Sequence, residues 1–234
     1  MSDQKVCVVV GVGPGNGKSL SAKFAGEGYQ VAALARDREK LEEVVGDTKG
    51  VTPYANDATD ADQVAEVYEE IRSDLGEPDV LLYNAGSGKF ANFDDVEAGD
   101  MRSSWEVNTL GLFHAAKEVL PQMRERGTGV IGVTGATATT RGKPITTAFA
   151  QAKAAQHHLA ESLAREFGPQ GIHVFYFIVD GVVDMPRTRE WMSDKPDDFF
   201  LKPDEIAEEV YDVAHQPKSA WTFEFDLRPY GEEW

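Results

Sequence analysis

Short runs that are apolar at almost every position recur along the chain: Val6 to Val10, Val31 to Ala35, Val80 to Leu82, Val130 to Val133, and Ile172 to Val179. Such runs predict strands covered on both faces. Between them the spacing turns helical. Ala61, Val64, Tyr68, Ile71 and Leu75 step by three or four, as do Ile206, Val210 and Val213. The opposite faces carry Asp62, Glu66, Glu69, Glu70, Glu205, Glu208 and Glu209, the pattern of solvated helix sides. Strand and helix alternate from end to end, which predicts an α/β fold: a parallel sheet with helices on both faces, joined by right-handed crossovers. Trp221 to Arg228 alternates apolar and polar residues and predicts a final edge strand.

No repeat or Gly/Ser linker marks a boundary, so residues 1–234 read as one domain. Two stretches interrupt the alternation, Ser87 to Asp100 and Asp184 to Lys202. The second holds Pro186, Pro196, Trp191, Phe199 and Phe200, and is expected to cover a ligand crevice.

Composition adds exclusions. Lys and Arg number 23 and Asp and Glu 40, a formal charge of −17, which repels phosphate backbones and anionic lipid surfaces. Neither nucleic acid nor membrane is expected as a partner, and with no signal-like start the expected location is the cytoplasm. The one cysteine, Cys7, lies in an apolar run and reads as a buried thiol. No His, Cys or carboxylate spacing suggests a metal site. His114 reads as structural, and His157 and His158 as surface or interface residues.

The first strand runs into Gly11-Val12-Gly13-Pro14-Gly15-Asn16-Gly17-Lys18-Ser19. A P-loop ending in this Gly-Lys-Ser would need a glycine at position 12, where Val12 stands. The strict Gly-x-Gly-x-x-Gly pattern also fails, because Asn16 takes its last place. A wider Gly-x-x-x-Gly-x-Gly pattern fits Gly11, Gly15 and Gly17. Glycines here let the backbone turn tightly and approach a diphosphate at a helix N-terminus.

These glycines, then Asp57, Asn84-Ala85-Gly86, Asn108, Lys153 within an amphipathic helix, and Gly181 after the sixth strand, together resemble the short-chain dehydrogenase/reductase family. The likeness spans nearly the whole chain. It implies a doubly wound Rossmann-type domain with seven parallel strands and three helices on each face, binding a nicotinamide dinucleotide across the carboxyl ends. By that resemblance Gly11, Gly15, Asn16 and Gly17 form the diphosphate loop, and Asp57 and Ala58 hold the adenine. Asn84, Ala85 and Gly86 line the adenosine ribose, Lys153 binds the nicotinamide ribose, and Gly181 with Val183 holds the carboxamide. In the family's register Ala35 takes the acidic position after the second strand and Arg36 follows, which points to NADP(H) over NAD(H). Asp37 is expected to cap the next helix. A homodimer or homotetramer and a small-molecule substrate are implied as partners.

The likeness breaks at the chemistry. The family's Tyr-x-x-x-Lys pair is Phe149-Ala150-Gln151-Ala152-Lys153, and its serine, thirteen residues before the tyrosine, is Ala136. Lys153 and the water-relay residue Asn108 are kept as the catalytic candidates. An Asp180-Gly181 turn, Met185 and a Trp-Thr-Phe-Glu segment at Trp221 resemble an atypical Phe-x-x-x-Lys branch. Thr134, Thr137, Tyr83 and Asp184 stand near enough in sequence to be considered as replacement proton donors. Two readings follow: an NADP(H)-dependent oxidoreductase with a non-standard proton donor, or a silent dinucleotide-binding protein serving as redox sensor or partner subunit. Non-redox chemistry on a bound substrate is a third.

Overall fold

Val6–Val10, strand β1, is buried at every position because parallel neighbours flank it on both sides, Gln30–Ala35 (β2) and Pro78–Tyr83 (β4). The computed structural model, which describes residues 4–231, extends this pairing outward. Val51–Ala55 (β3) joins β2, while Gly129–Ala136 (β5), Ile172–Val179 (β6) and Glu224–Leu227 (β9) follow β4, all parallel. The sheet order is β3-β2-β1-β4-β5-β6-β9. A short two-stranded pair, Val182–Val183 (β7) and Phe200–Leu201 (β8), stands apart.

One face is covered by Asn16–Gly26 (α1), Arg38–Val45 (α2) and Pro203–Ala214 (α8), through Leu20, Phe24, Leu41, Ile206 and Val210. Ala61–Asp74 (α3), Gly111–Arg126 (α5) and Thr147–Phe167 (α6) cover the other, with Tyr68, Ile71, Leu112, Val119 and Ala160 in that core. Ala98–Trp105 (α4) runs through a π-turn, Glu106–Leu110, into α5. The strand order reverses at β1 and β4, so the loops leaving these strands diverge and open a crevice at the carboxyl ends.

Most expected elements appear within a residue or two. The exception is β3, which no apolar run announces: it is an edge strand with only Tyr54 buried, and an edge position tolerates its Pro53. The final strand is shorter than the alternation suggested. Ser87 to Asp100 already contains the start of α4, and Asp184 to Lys202 is not a plain loop but carries helix Pro186–Trp191 (α7) and β8. Cys7 is buried, and burial pushes its thiol up. No helix among the described residues is long and apolar enough to cross a membrane.

Candidate functional site

Gly11 ends β1 in a left-handed conformation, φ 87°. Its amide and that of Val12 both donate to Leu34 O, at 2.9 and 3.0 Å. A Cβ on Gly11 would lie 2.4 Å from the Ala85 backbone, so the turns after β1 and β4 touch only because this residue is glycine. Asn84 fastens them: Nδ2 donates to Gly11 O at 2.8 Å, and Oδ1 accepts the Thr134 hydroxyl at 3.0 Å. Gly17 serves packing, since its Cβ would lie 2.6 Å from Val12 Cα.

The N-terminus of α1 carries no side-chain cap. Gly15 caps it without any side-chain hydrogen bond, and the buried Oδ1 of Asn16 has no partner. Met185 covers Gly15, its thioether 2.5 Å from where a Cβ would stand.

Beyond this turn lies a cleft of about 640 Å³, lined among others by Gly11, Arg36, Asp57, Ala58 and Asn84–Gly86. It therefore gathers the residues expected for the adenosine half of a dinucleotide. Arg36 is exposed at its edge and makes no ion pair among the described residues. Asp37 is committed elsewhere, as expected: it caps α2 through Lys40 N–H at 3.2 Å and pairs with Lys40 Nζ, which holds its carboxyl below the usual range. Asp57 braces its own turn through Thr59 as well as lining the cleft. His114 is structural, bonded to Ala58 O.

Lys153 lies on the other side of Gly86, buried on the face of α6 that also presents Ala148, Ala152 and Gln156. The alanines let the helix approach the sheet closely. Lys153 Nζ donates to Thr134 O at 2.8 Å and to Gln156 Oε1 at 2.9 Å. Burial alone pushes it down to about 7. The π-turn aims Asn108 inward beside it. Asn108 Nδ2 donates to Ser87 O and Ser104 O, at 2.6 and 2.7 Å, and its buried Oδ1 is unpartnered. A Cβ on Gly86 would lie 3.4 Å from that Oδ1 and 3.6 Å from Nζ, so as glycine it sets no side chain against these two buried groups.

Phe149 occupies the tyrosine position one turn before Lys153, its ring centroid 5.8 Å from Nζ and 5.3 Å from the Phe90 ring. It abuts Gly88, and Phe90 and Ile145, on loops tied by Ala91 N to Ile145 O, extend an exposed apolar rim around it. None of the four alternative donors fills the gap. Thr134 donates to Asn84, and Thr137 to Asp180 at 2.5 Å. Tyr83 is buried, donates to Val107 O, and burial raises its phenol further. Asp184 holds Arg189 through two bonds of 2.7 Å, and that guanidinium keeps it ionised.

Gly181 and Val183 lie outside the lining of the main cleft. Gly181 packs against Pro229 and Leu201, and Val183 sits in the β7–β8 pair toward Gly15. Arg189 also bonds Asp197 and stacks on Phe200, which gives the 184–202 segment its own fold. Asp180 is buried between Arg141 and Arg228, at 2.9 and 3.0 Å. Linear spacing shows no metal set, yet folding brings ligand atoms of His157, His158 and Glu161 within 4.8 Å. His157 is already paired with Glu224, and Glu161 with Arg165. Sequence reading missed Gln156, Tyr176 and Thr139, which surround Lys153's buried side. The legible signal was a glutamine on an alanine-lined helix face.

The cradle fits a dinucleotide on its own terms. It has a helix end without a side-chain cap and, among the described residues, a cation with no ion pair at the adenosine edge and two buried amide oxygens without partners. Comparison with known proteins agrees. The family described as short chain dehydrogenase matches residues 5–196. The 3-oxoacyl-(acyl-carrier-protein) reductase FabG of Thermotoga maritima is 30% identical over 92% of each chain. A short-chain dehydrogenase from Rhodopseudomonas palustris superposes with a TM-score of 0.80, at 31% identity over 96% of this chain and 99% of that one. An alcohol dehydrogenase from Thermococcus sibiricus, complexed with 5-hydroxy-NADP, gives 0.85 at 26% identity over 99% of both.

Proposed function

The chain belongs to the short-chain dehydrogenase family, and from that premise we propose that it is an NADP(H)-dependent oxidoreductase acting on a carbonyl or alcohol. The observation that carries this reading is the cleft where the strand order reverses, with Arg36, Asp57 and Asn84–Gly86 around it and the uncapped end of α1 beside it. In this reading Gly11, Gly15, Asn16 and Gly17 receive the diphosphate, with Met185 turning aside. Arg36 receives the 2′-phosphate, and Asp57 and Ala58 the adenine. Asn84, Ala85 and Gly86 meet the adenosine ribose, Lys153 and Asn108 the nicotinamide side, and Gly181 with Val183 the carboxamide. The NADP ligand of the Thermococcus sibiricus relative supports the cofactor choice. When bound, the nicotinamide supplies or takes the hydride.

The chain's residues then orient the substrate and handle the proton. Phe149, Phe90 and Ile145 offer an apolar wall, and the 184–202 segment covers the substrate. Lys153 and Asn108 are the polar groups that line the reaction corner. Phe149 and Ala136 support placing the chain in the Phe-x-x-x-Lys branch. Exposed Trp105 and Phe113 on α4 and α5 support a homo-oligomer contact there.

A second reading, a dinucleotide binder without turnover, draws on the engagement of Thr134, Thr137, Tyr83 and Asp184 elsewhere. Positioned acid–base groups contribute about 10² to 10⁴-fold, so their loss would leave binding intact and turnover slow. The deciding experiment titrates NADPH and NADH, then screens carbonyls with the wild type and a Phe149→Tyr, Ala136→Ser double variant. Turnover by the wild type supports the enzyme. Turnover by the variant alone supports the silent binder, and absence of dinucleotide binding removes both.

A further inference from the structure

Gln156 lies three residues after Lys153, fully buried on the same face of α6. Its amide has one workable orientation. The Asn108 carbonyl can only accept, so Nε2 must face it, at 2.8 Å, which turns Oε1 toward Lys153 Nζ and toward the Tyr176 hydroxyl at 3.1 Å. The direction of the remaining bonds follows. Ala136 N–H donates to Thr139 Oγ1 at 3.2 Å, the Thr139 hydroxyl donates to Tyr176 at 3.0 Å, and Tyr176 donates to Gln156 Oε1.

Lys153 Nζ thus meets two acceptors, Thr134 O and Gln156 Oε1. An ammonium has three N–H bonds and a neutral amine has two. With two directed at the protein, the remaining vertex is a donor only when the lysine is charged, and a lone pair when it is not. Gly86 lies beside Nζ and the unpartnered, buried Asn108 Oδ1, and sets no side chain against them.

We propose that Gln156 is a positioning residue that sets what this vertex offers, by holding an oxygen against Lys153 and bracing that oxygen from Asn108 and Tyr176. The inference rests on the reading of Lys153 as the group that meets the nicotinamide ribose. Gln156 Oε1 stabilises the charged form, whereas burial opposes it. Thr134 faces Lys153 from β5, Gly86 from the loop after β4, Asn108 from the π-turn and Tyr176 from β6. Tyr176 is the titratable member, and burial holds its phenol protonated. Behind Tyr176 lie His157 on α6, rings 4.9 Å apart, and Glu224 on β9, bonded to His157.

The test is NADPH binding by the full chain, wild type against Gln156→Glu and Gln156→Leu, from about pH 6 to 9, with circular dichroism to establish folding. A carboxylate at 156 is expected to raise the pH at which affinity falls, and leucine to lower it. The leucine variant should then bind several-fold more weakly than wild type near pH 7, where the wild-type lysine is still substantially charged and leucine removes part of that charge-assisted donor. The cofactor's 2′-phosphate titrates alike in all three proteins, so the differences report Lys153. Loosened packing would not move the midpoint in opposite directions. Should the leucine variant not fold, the upward shift in the isosteric glutamate variant decides alone. Equal midpoints, or shifts of one sign, would overturn the role of Gln156 while leaving the dinucleotide reading standing. A wild type that binds no NADPH at any pH would instead remove that reading, and this proposal with it.

Discussion

Lys153 is buried with no carboxylate for company, so its charge depresses folded stability in a pH window set by its own titration. The folded chain releases that proton near pH 7, and an unfolded lysine keeps it to about 10.4. Between these values the unfolded state binds the extra proton, and stability rises with pH by at most about 1.4 kcal/mol per unit. Cys7 acts oppositely above about pH 8.5, where an unfolded thiol ionises and the buried one does not. Urea unfolding of wild type and Lys153→Met at several pH values should show the wild type gaining on the variant from pH 7 upward. A constant difference would contradict the buried charge. Arg36, at the edge of the cleft, makes no ion pair among the described residues. Arg36→Ala should weaken NADPH about tenfold, one charged hydrogen bond's worth, and leave NADH nearly unchanged in parallel titrations.

At the scale of elements, the site depends on how closely helices approach strands. Gly17 sits where α1 meets the end of β1, and alanine there would press on Val12 Cα and Gly11 O, both main chain. Gly17→Ala is expected to lose about 2 kcal/mol, visible as a lower melting temperature. Gly15→Ala meets only the flexible end of Met185, so its cost to stability should be clearly smaller. Comparable losses in the two variants would show that α1 is seated differently. Gly135 belongs to the same logic on β5: its Cβ would stand 2.2 Å from Tyr176 Cε1, the ring that braces Gln156. A glycine in a strand looks like a weak point in sequence, and here it makes room for the polar network under Lys153.

Across the whole molecule, Asp180 joins three distant segments. It takes Arg141 from the loop after β5, Arg228 from beyond β9, and the Thr137 hydroxyl, and so fastens the chain's far end to the rim of the site. Removing one partner of a buried ion pair costs about 3 kcal/mol, because the cations left behind lose their compensation. Asp180→Ala should lower stability by that order in urea denaturation. A loss below 1 kcal/mol would mean that water readily replaces the carboxylate.

Much of this protein is legible in its residues alone. Uniformly apolar runs mark strands buried on both faces, helical spacing marks their covers, and the glycine turn with Asn84, Asn108 and Lys153 marks a dinucleotide fold. The period of apolar residues is a local property, and so it survives in a one-dimensional string. The half-exposed edge strand β3 leaves no such trace. Nor do the engagement of the four alternative hydroxyl and acid groups, the thioether over Gly15, and the hydrogen bonds from Ala136 to Lys153. Most of those contacts join residues remote in the chain, and even the local ones depend on the turn or helix face that packing selects, so only the packed fold decides which donor reaches which acceptor.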